Sequence, residues 1–394
     1  MSQTDVPLEE LRDSVATFMT RRAAPVVEEA EKTGCYPRAL MAEAGAAGFF
    51  GCAFPERVGG TNLGFRAAAI VAEETAGAVP QLSTALNQQA MSCPYTILRY
   101  GEPRVAEPIV RDLIAGQRIG VWSLTEAGGG SDPINAVRTR AERTSAGYLL
   151  NGAKMFATGA DQADAGVLFA RTSSDLGRRS LTAFIVEPRK SAAWSARPIA
   201  FDGLSRVFNS CEVEINDLEV PREALLGEEG MGFEIAMQAL IFGRLSVAAR
   251  ALGVAKACLA EGVAHTSMRK IRGVTLANFQ TIQVEMGEVD SAIFAAEAAL
   301  VHTAAMMDRR EPCNRATAIA KYVCARAAKL ATEVISPMFG GYGLASDMRI
   351  TRLRAYANLF DIGEGAPHVQ KILIGQHALN IKNADRYPVN YLDA

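Results

Sequence analysis

The sequence predicts an α+β protein: helices over residues 1–117, short strands over 118–230, and long helices again over 231–394. Three observations carry this. Near the amino terminus apolar residues recur at three- to four-residue steps. Near Ile119 the pattern changes to short apolar or alternating runs bounded by Gly, Asn, Asp and Pro, which is strand behaviour. From Phe233 the helical period returns and persists through Ala-rich stretches.

In chain order, Val6, Leu8, Leu11, Val15 and Phe18 mark one amphipathic helix. Pro37 opens a second helical stretch that runs to Phe49, and Pro55 with Gly59-Gly60 punctuates a loop. Ala67–Ala78 and Gln81–Arg99 read as helices. Tyr148–Leu150, Gly166–Ala170, Leu181–Val186 and Cys211–Ile215 read as strands. Pro221 and Gly227–Gly232 close that section. Ile235–Thr266, Leu276–Met307, Asn314–Met338 and Val369–Ile381 are the long helices, interrupted by the Gly340-Gly341-Tyr342-Gly343 turn.

Composition narrows the function. In 394 residues, 49% are apolar and 21% charged, with a net charge of −2, so a folded core is expected and disorder is not. No Lys/Arg block stands out, so no nucleic-acid partner is expected. The apolar runs fall short of the roughly 20 residues of a membrane span, so no membrane is expected either. The first ten residues carry acids and no apolar run, unlike a secretory signal. The seven cysteines are odd in number and form no CxxC pair, which points to reduced thiols and a cytoplasmic chain. His265, His302, His368 and His377 make no familiar metal spacing, so no metal is expected.

Three segments carry chemistry. In Trp122–Asp132, the run Gly128-Gly129-Gly130 lies between the hydroxyls of Thr125 and Ser131. Such a loop suits a surface turn, or backbone N–H groups cradling a phosphate or the polar edge of a flavin. In Asn151–Gly159, Asn-Gly signals a hairpin turn. The following strand puts Phe156 and Thr158 on one face, which suits core packing or a flat heteroaromatic ring. Glu364 stands between Gly363 and Gly365, ahead of a helix that includes Gln370. It could complement the helix dipole or reach into a cleft.

Taken together, these segments resemble the acyl-CoA dehydrogenase family over about Phe54–His377. The family's Thr-Glu-Pro-x-Ala-Gly-Ser-Asp segment is matched by Thr125–Asp132, and its Asn-Gly-x-Lys-x-Trp-Ile-Thr-Asn segment by Asn151–Gly159. Its Val-Pro…Leu-Gly-x-x-Gly-x-Gly-Phe junction is matched by Val220–Phe233. Its Arg-x-x-Phe-Gly helix with a following Gln is matched by Arg269, Gly273 and Gln280. Its Gly-Gly-x-Gly turn and Glu-Gly-Thr motif are matched by Gly340–Gly343 and Glu364-Gly365.

The resemblance implies a central β-barrel or sandwich, a carboxy-terminal four-helix bundle, bound FAD, and α,β-dehydrogenation of an acyl thioester. Glu364 would remove the α-proton, with Arg244 near it, and flavin N5 would accept the β-hydride. Some relatives carry the base just before that Arg, where this chain has Gly243. Thr125 and Thr158 would hydrogen-bond the flavin ring, and Trp122 and Phe156 would pack on it. Ser131 would lie near pyrophosphate and substrate. Arg269 and Gln280 would reach the adenosine across a subunit interface, and Gly340, Gly341 and Gln370 complete the expected cofactor set. Leu82, Leu86 and Met91 would line the acyl tail, with Gly363 and Gly365 beside the substrate. A tetramer that passes electrons to an electron-transfer flavoprotein is implied.

The chain also departs from the family pattern. Gly363 replaces a common Tyr, Ala366 a Thr, Pro337 a Gln, Arg272 a Phe, Ile241 an Asp, and Ala355-Tyr356 an Arg-Asp pair. Gly363 is expected to widen the cavity for a branched acyl group, and Ile241 to weaken a CoA grip in favour of a carrier protein. The stretch from Ala67 to Leu98 has no Arg or Lys, which argues against a dicarboxylyl substrate. Two alternatives are a flavin monooxygenase or oxidase on the same fold, and a non-catalytic binding homologue.

Overall fold

The computed structural model describes residues 6–175 and 177–393. The chain begins with α1 (Val6–Phe18), α2 (Ala24–Thr33), α3 (Arg38–Ala46) and α4 (Phe65–Ala78). Then follow the short α5 (Pro80–Ser83), α6 (Leu86–Ala90) and α7 (Ser92–Tyr100), and α8 (Pro103–Ile114). The expected helix over Gln81–Arg99 is thus three pieces. Met91, at φ −139° and ψ −102°, breaks it between α6 and α7.

The strands are β1 (Gly120–Ser123), β2 (Arg140–Arg143), β3 (Gly147–Thr158), β4 (Ala165–Arg171), β5 (Leu181–Val186), β6 (Trp194–Pro198), β7 (Ser210–Pro221) and β8 (Leu225–Leu226). The four-residue helix α9 (Pro133–Ala136) precedes β2. Hydrogen bonds run in the order β6-β7-β3-β2-β4-β5-β8, with β1 parallel to β4. The sheet folds over itself, because β1 also lies against β3 and β5 against β7. β4 and β5 are buried along their whole length, as their unbroken apolar runs require.

Asn151-Gly152 is not a hairpin turn. It lies inside β3, where the pairing with β7 slips between Leu150 and Gly152. Asn151 Nδ2 donates to Asp217 Oδ1 across the pair at 3.0 Å. A side chain at Gly152 would collide with Thr139, so the Gly answers a close approach within the sheet.

Beyond the sheet come α10 (Gly232–Met268), α11 (Gln280–Asp308), α12 (Asn314–Ile335), α13 (Arg349–Ile362) and α14 (Pro367–Ala378). α10 is the central member and packs on α4, α11, α12 and α13. Gly253 lets it approach α4 closely: a methyl group there would overlap the Glu73 carbonyl.

By length and composition alone α10 and α11 could each cross a membrane, contrary to the expectation from apolar run length. Ala spacing between few charges produces this. Most of the apolar stretch of α10 is buried inside the protein. α11 instead presents Val284, Phe294 and Val301 on its exposed side.

Candidate active site

The loop between α13 and α14 carries Glu364, held at a left-handed φ of 55°. Strain of this kind persists only where neighbours fix the backbone, and they do. Lys321, fully buried on α12, donates from Nζ to the carbonyls of Asp361 (2.5 Å) and Gly365 (2.9 Å), one on each side of Glu364. Gln370 Nε2 donates to the same Gly365 carbonyl at 3.0 Å. Gln370 is itself fully buried beneath the loop.

The carboxylate points toward Asn87 on α6, Ser92 on α7 and Gly243 on α10 and does not cap α14. Oε1 accepts from Asn87 Nδ2 at 2.6 Å, whereas Oε2 is buried without a partner. Oε2 rests on Gly243: a Cβ there would overlap it and lie 2.8 Å from Ser92 Oγ. The missing side chain at Gly243 thus leaves the space that the carboxylate occupies. Gly243→Ala is expected to displace the carboxylate, and misplacing a reacting group by about 1 Å slows its reaction about 10²-fold. Stopped-flow absorbance checks this, and an unchanged rate would refute the placement.

Three buried cations surround the acid. Arg244 donates from Nη1 to Asn314 Oδ1 at 2.7 Å and leaves Nε unpaired. Arg250 donates from Nη1 to the Ser83 carbonyl at 3.0 Å and lies over the Phe360 ring. Burial pushes both guanidinium groups down to about 10, and the Lys321 ammonium to about 8. Burial likewise pushes the Glu364 carboxyl up, opposed by the Asn87 bond and by Arg250, Arg244 and Lys321.

Leu82, Leu86 and Met91 are buried in the hydrophobic core. Leu86 and Met91 line a small cavity with Phe49, Phe50 and Ser246, whose Oγ is unpartnered. The stretch 67–98 has no cation of its own, but α10 brings Arg250 against it. Gly363 is half-buried, and a Cβ there would meet only the Leu359 carbonyl at 3.4 Å.

A second cluster joins the two Gly-containing segments. Met155 N donates to the Thr125 carbonyl at 2.9 Å. Below it, fully buried Lys154 pairs with Glu126 at 2.7 Å. Thr139 Oγ1, Thr139 N and Arg138 N also donate to that carboxylate. Burial alone would raise Glu126, but Lys154 and these donors outweigh it and hold the carboxyl low. Burial pushes Lys154 down to about 8.

Phe156, Thr158 and Trp122 lie in and beside the strands that carry this pair. Phe156 sits in the bulge between Lys154 and Ala157, at φ 59°, and is 53% exposed. Thr158 Oγ1 lies 3.1 Å from Ser210 Oγ. Trp122 packs edge-on against Phe169 and leaves Nε1 unpartnered, as is the buried Ser123 Oγ. Ser131, Arg269, Gln280, Gly340 and Gly341 lie exposed, outside both clusters.

Sequence models of the acyl-CoA dehydrogenase N-terminal, middle and C-terminal domains match residues 7–117, 122–218 and 230–379. The chain belongs to the acyl-CoA dehydrogenase family. It is 31% identical to an acyl-CoA dehydrogenase of Bacillus subtilis, covering 94% of this chain and 97% of that one. It is 30% identical to the 3-(aryl)acrylate reductase of Clostridium sporogenes, with the same shares covered. The structure of a glutaryl-coenzyme A dehydrogenase in complex with glutaryl-CoA superposes with a TM-score of 0.93, at 28% identity and 98% coverage of both chains.

The family consists of FAD-dependent oxidoreductases acting on CH–CH groups. The residues present fit that cofactor. An exposed aromatic held in a strand bulge, two threonine hydroxyls and an orphan indole N–H suit a ring that is apolar on its face and polar at its edge.

Asn87, Ser92, Arg250 and Lys321 were not marked by the sequence motifs. Each lies in a helix whose partners are distant in the chain. Lys321 alone gives a local hint, as a charge that the fold buries on the face shared with Ala318 and Ala325.

Proposed function

We propose that this chain dehydrogenates an acyl thioester between its α- and β-carbons, with Glu364 as the base. The observation that carries this is a buried carboxylate with one bonded oxygen and one free oxygen, set beside Gly243 and within the field of Arg244, Arg250 and Lys321. Bound FAD supplies the hydride acceptor. The chain's part is to hold the acid, exclude water and orient the thioester. Thr125, Thr158, Trp122 and Phe156 hold the flavin ring, with Ser131 nearer its phosphates. Arg244, Arg250 and Lys321 surround the acid with positive charge, which favours its ionised form and an enolate-like transition state. The Glu364 backbone N–H is the donor assigned to the thioester carbonyl.

Arg269, Gln280, Gly340 and Gly341 would meet the adenosine end of FAD with a neighbouring subunit. The exposed apolar side of α11 supports a homo-oligomer, a tetramer by family analogy. An electron-transfer flavoprotein is the proposed acceptor and the cytoplasm the proposed location, where buried thiols such as Cys93 and Cys324 stay reduced.

The test is an anaerobic titration of the flavin absorbance with straight-chain, α-branched and carrier-bound saturated acyl thioesters. Bleaching by one of them supports the reading, and bound flavin that none bleaches overturns it. The open space at Gly363 favours α-branched groups. Gly363→Tyr is expected to lower the rate with an α-branched thioester by about 10–200-fold relative to a straight one. Equal losses on both would exclude a role in selectivity.

A further inference from the structure

We propose that Asn87 is the positioning residue of the base: it fixes Oε1 of Glu364 and leaves Oε2 as the oxygen that receives the proton. The inference rests on the reading of Glu364 given above and deepens it.

Asn87 is buried on α6, the short helix that also supplies Leu86 to the acyl wall. Its Nδ2 donates to Oε1 at 2.6 Å, a close contact between amide and carboxyl. Its own Oδ1 has no donor. Such an amide would normally turn to satisfy both ends. Turning it here would set Oδ1 against Oε1, two acceptors in contact. The carboxylate therefore dictates the orientation of the amide, and the amide fixes the rotation of the carboxylate.

The other groups around Glu364 act differently. Arg244 and Arg250 face it from α10, but their recorded donors go to Asn314, Ser246 and Ser83. Lys321 faces it from α12, and its ammonium serves backbone carbonyls. Asp361, at the end of α13, pairs with Lys329 at 3.7 Å. From α7, Ser92 Oγ approaches the same Gly243 without a partner. Asn87 is thus the hydrogen-bond donor on the carboxylate among the described residues. With Oε1 taken, the lone pairs of Oε2 remain, buried without a partner beside Gly243.

The test reads the contact directly. The carbonyl stretch of the protonated Glu364 carboxyl is followed against pH in infrared difference spectra of flavin-loaded protein, wild type against Glu364→Gln. The same is done on an Asn87→Leu background. Loss of a charge-assisted bond is expected to raise the titration midpoint by about one pH unit. The acid limb of substrate-driven flavin bleaching should move with it. Asn87→Asp is isosteric and covers the case in which the leucine variant does not fold. Two carboxyls in contact should then share a proton, with one midpoint raised further still. A Glu364 midpoint unchanged in the variant that folds would overturn the proposal. The titration needs no substrate, so its failure is distinct from failure of the base reading, which bleaching of Glu364→Gln decides.

Discussion

Glu364→Gln is expected to keep its fold and its flavin and to lose bleaching by the best thioester substrate by about 10⁴-fold, the upper range for a positioned general base. Glutamine preserves the shape of the side chain and can still accept from Asn87 at Oε1. It cannot take a proton at the other position. The same variant should melt no lower than wild type. Burial raises the Glu364 carboxyl in the folded protein. A group raised on folding contributes stability below its unfolded value and loses that contribution as pH rises through its folded value. Above its raised folded value wild type therefore holds an ionised acid in a place that disfavours it, and the neutral amide removes that burden. A variant that is dead, flavin-loaded and equally or more heat-stable would separate catalysis from folding. For wild type the rate should fall on the acid side at a pH above the ordinary carboxylate range of about 4.3. A variant that still bleaches at a rate within tenfold of wild type would remove Glu364 from the chemistry.

The cations around that acid explain why it can be both buried and ionised. Arg244, Arg250 and Lys321 each lie in a helix that packs beneath the loop, and each has its own neutral partners. They lower the cost of the carboxylate without bonding to it. A direct salt bridge would also favour ionisation, but it would occupy the oxygen needed for the proton. The arrangement keeps the charge and leaves the lone pair free.

Sequence patterns reached the elements more readily than the site. Leu181–Val186 reads as a strand and is one, because both faces of β5 are buried and every residue is apolar or small. Val6–Phe18 reads as a helix because one face packs and the other meets water. Asn151-Gly152 misleads because the same dipeptide serves a tight turn and a strand slip, and only the partner strand decides between them. Glu364 stood out through its flanking glycines. Asn87 did not, because 277 residues separate the two. The Thr125–Asp132 and Asn151–Gly159 segments were each visible, yet the bond between them was not. Glu126 and Lys154 lie in separate motifs, 28 positions apart. Local pattern identifies which residues are unusual, and packing determines which of them meet.

That hidden pair yields the second large effect. Lys154→Met should destabilise the protein by about 3–5 kcal/mol, the usual consequence of removing one partner from a buried ion pair. Glu126 would be left 6% exposed, with Thr139 and two backbone N–H groups but no counter-charge. It would then titrate upward, and the variant should lose stability as pH rises from the unfolded carboxylate value through the new one. Wild type behaves in the opposite sense through Glu126, whose lowered carboxyl contributes stability that is lost as pH falls through its folded value. The pair also supports the segment that carries Thr125, just beyond Trp122 on β1, so the variant should purify with less flavin. Adding Glu126→Gln to Lys154→Met removes the stranded charge and should recover much of the melting temperature. Thermal melts and flavin-to-protein absorbance ratios read both effects. A single variant that melts with wild type and keeps its flavin would mean the pair is no anchor. A double variant that regains stability yet stays short of flavin would mean that the charge pair, beyond supporting the fold, holds the Gly-rich loop at the distance the ring requires.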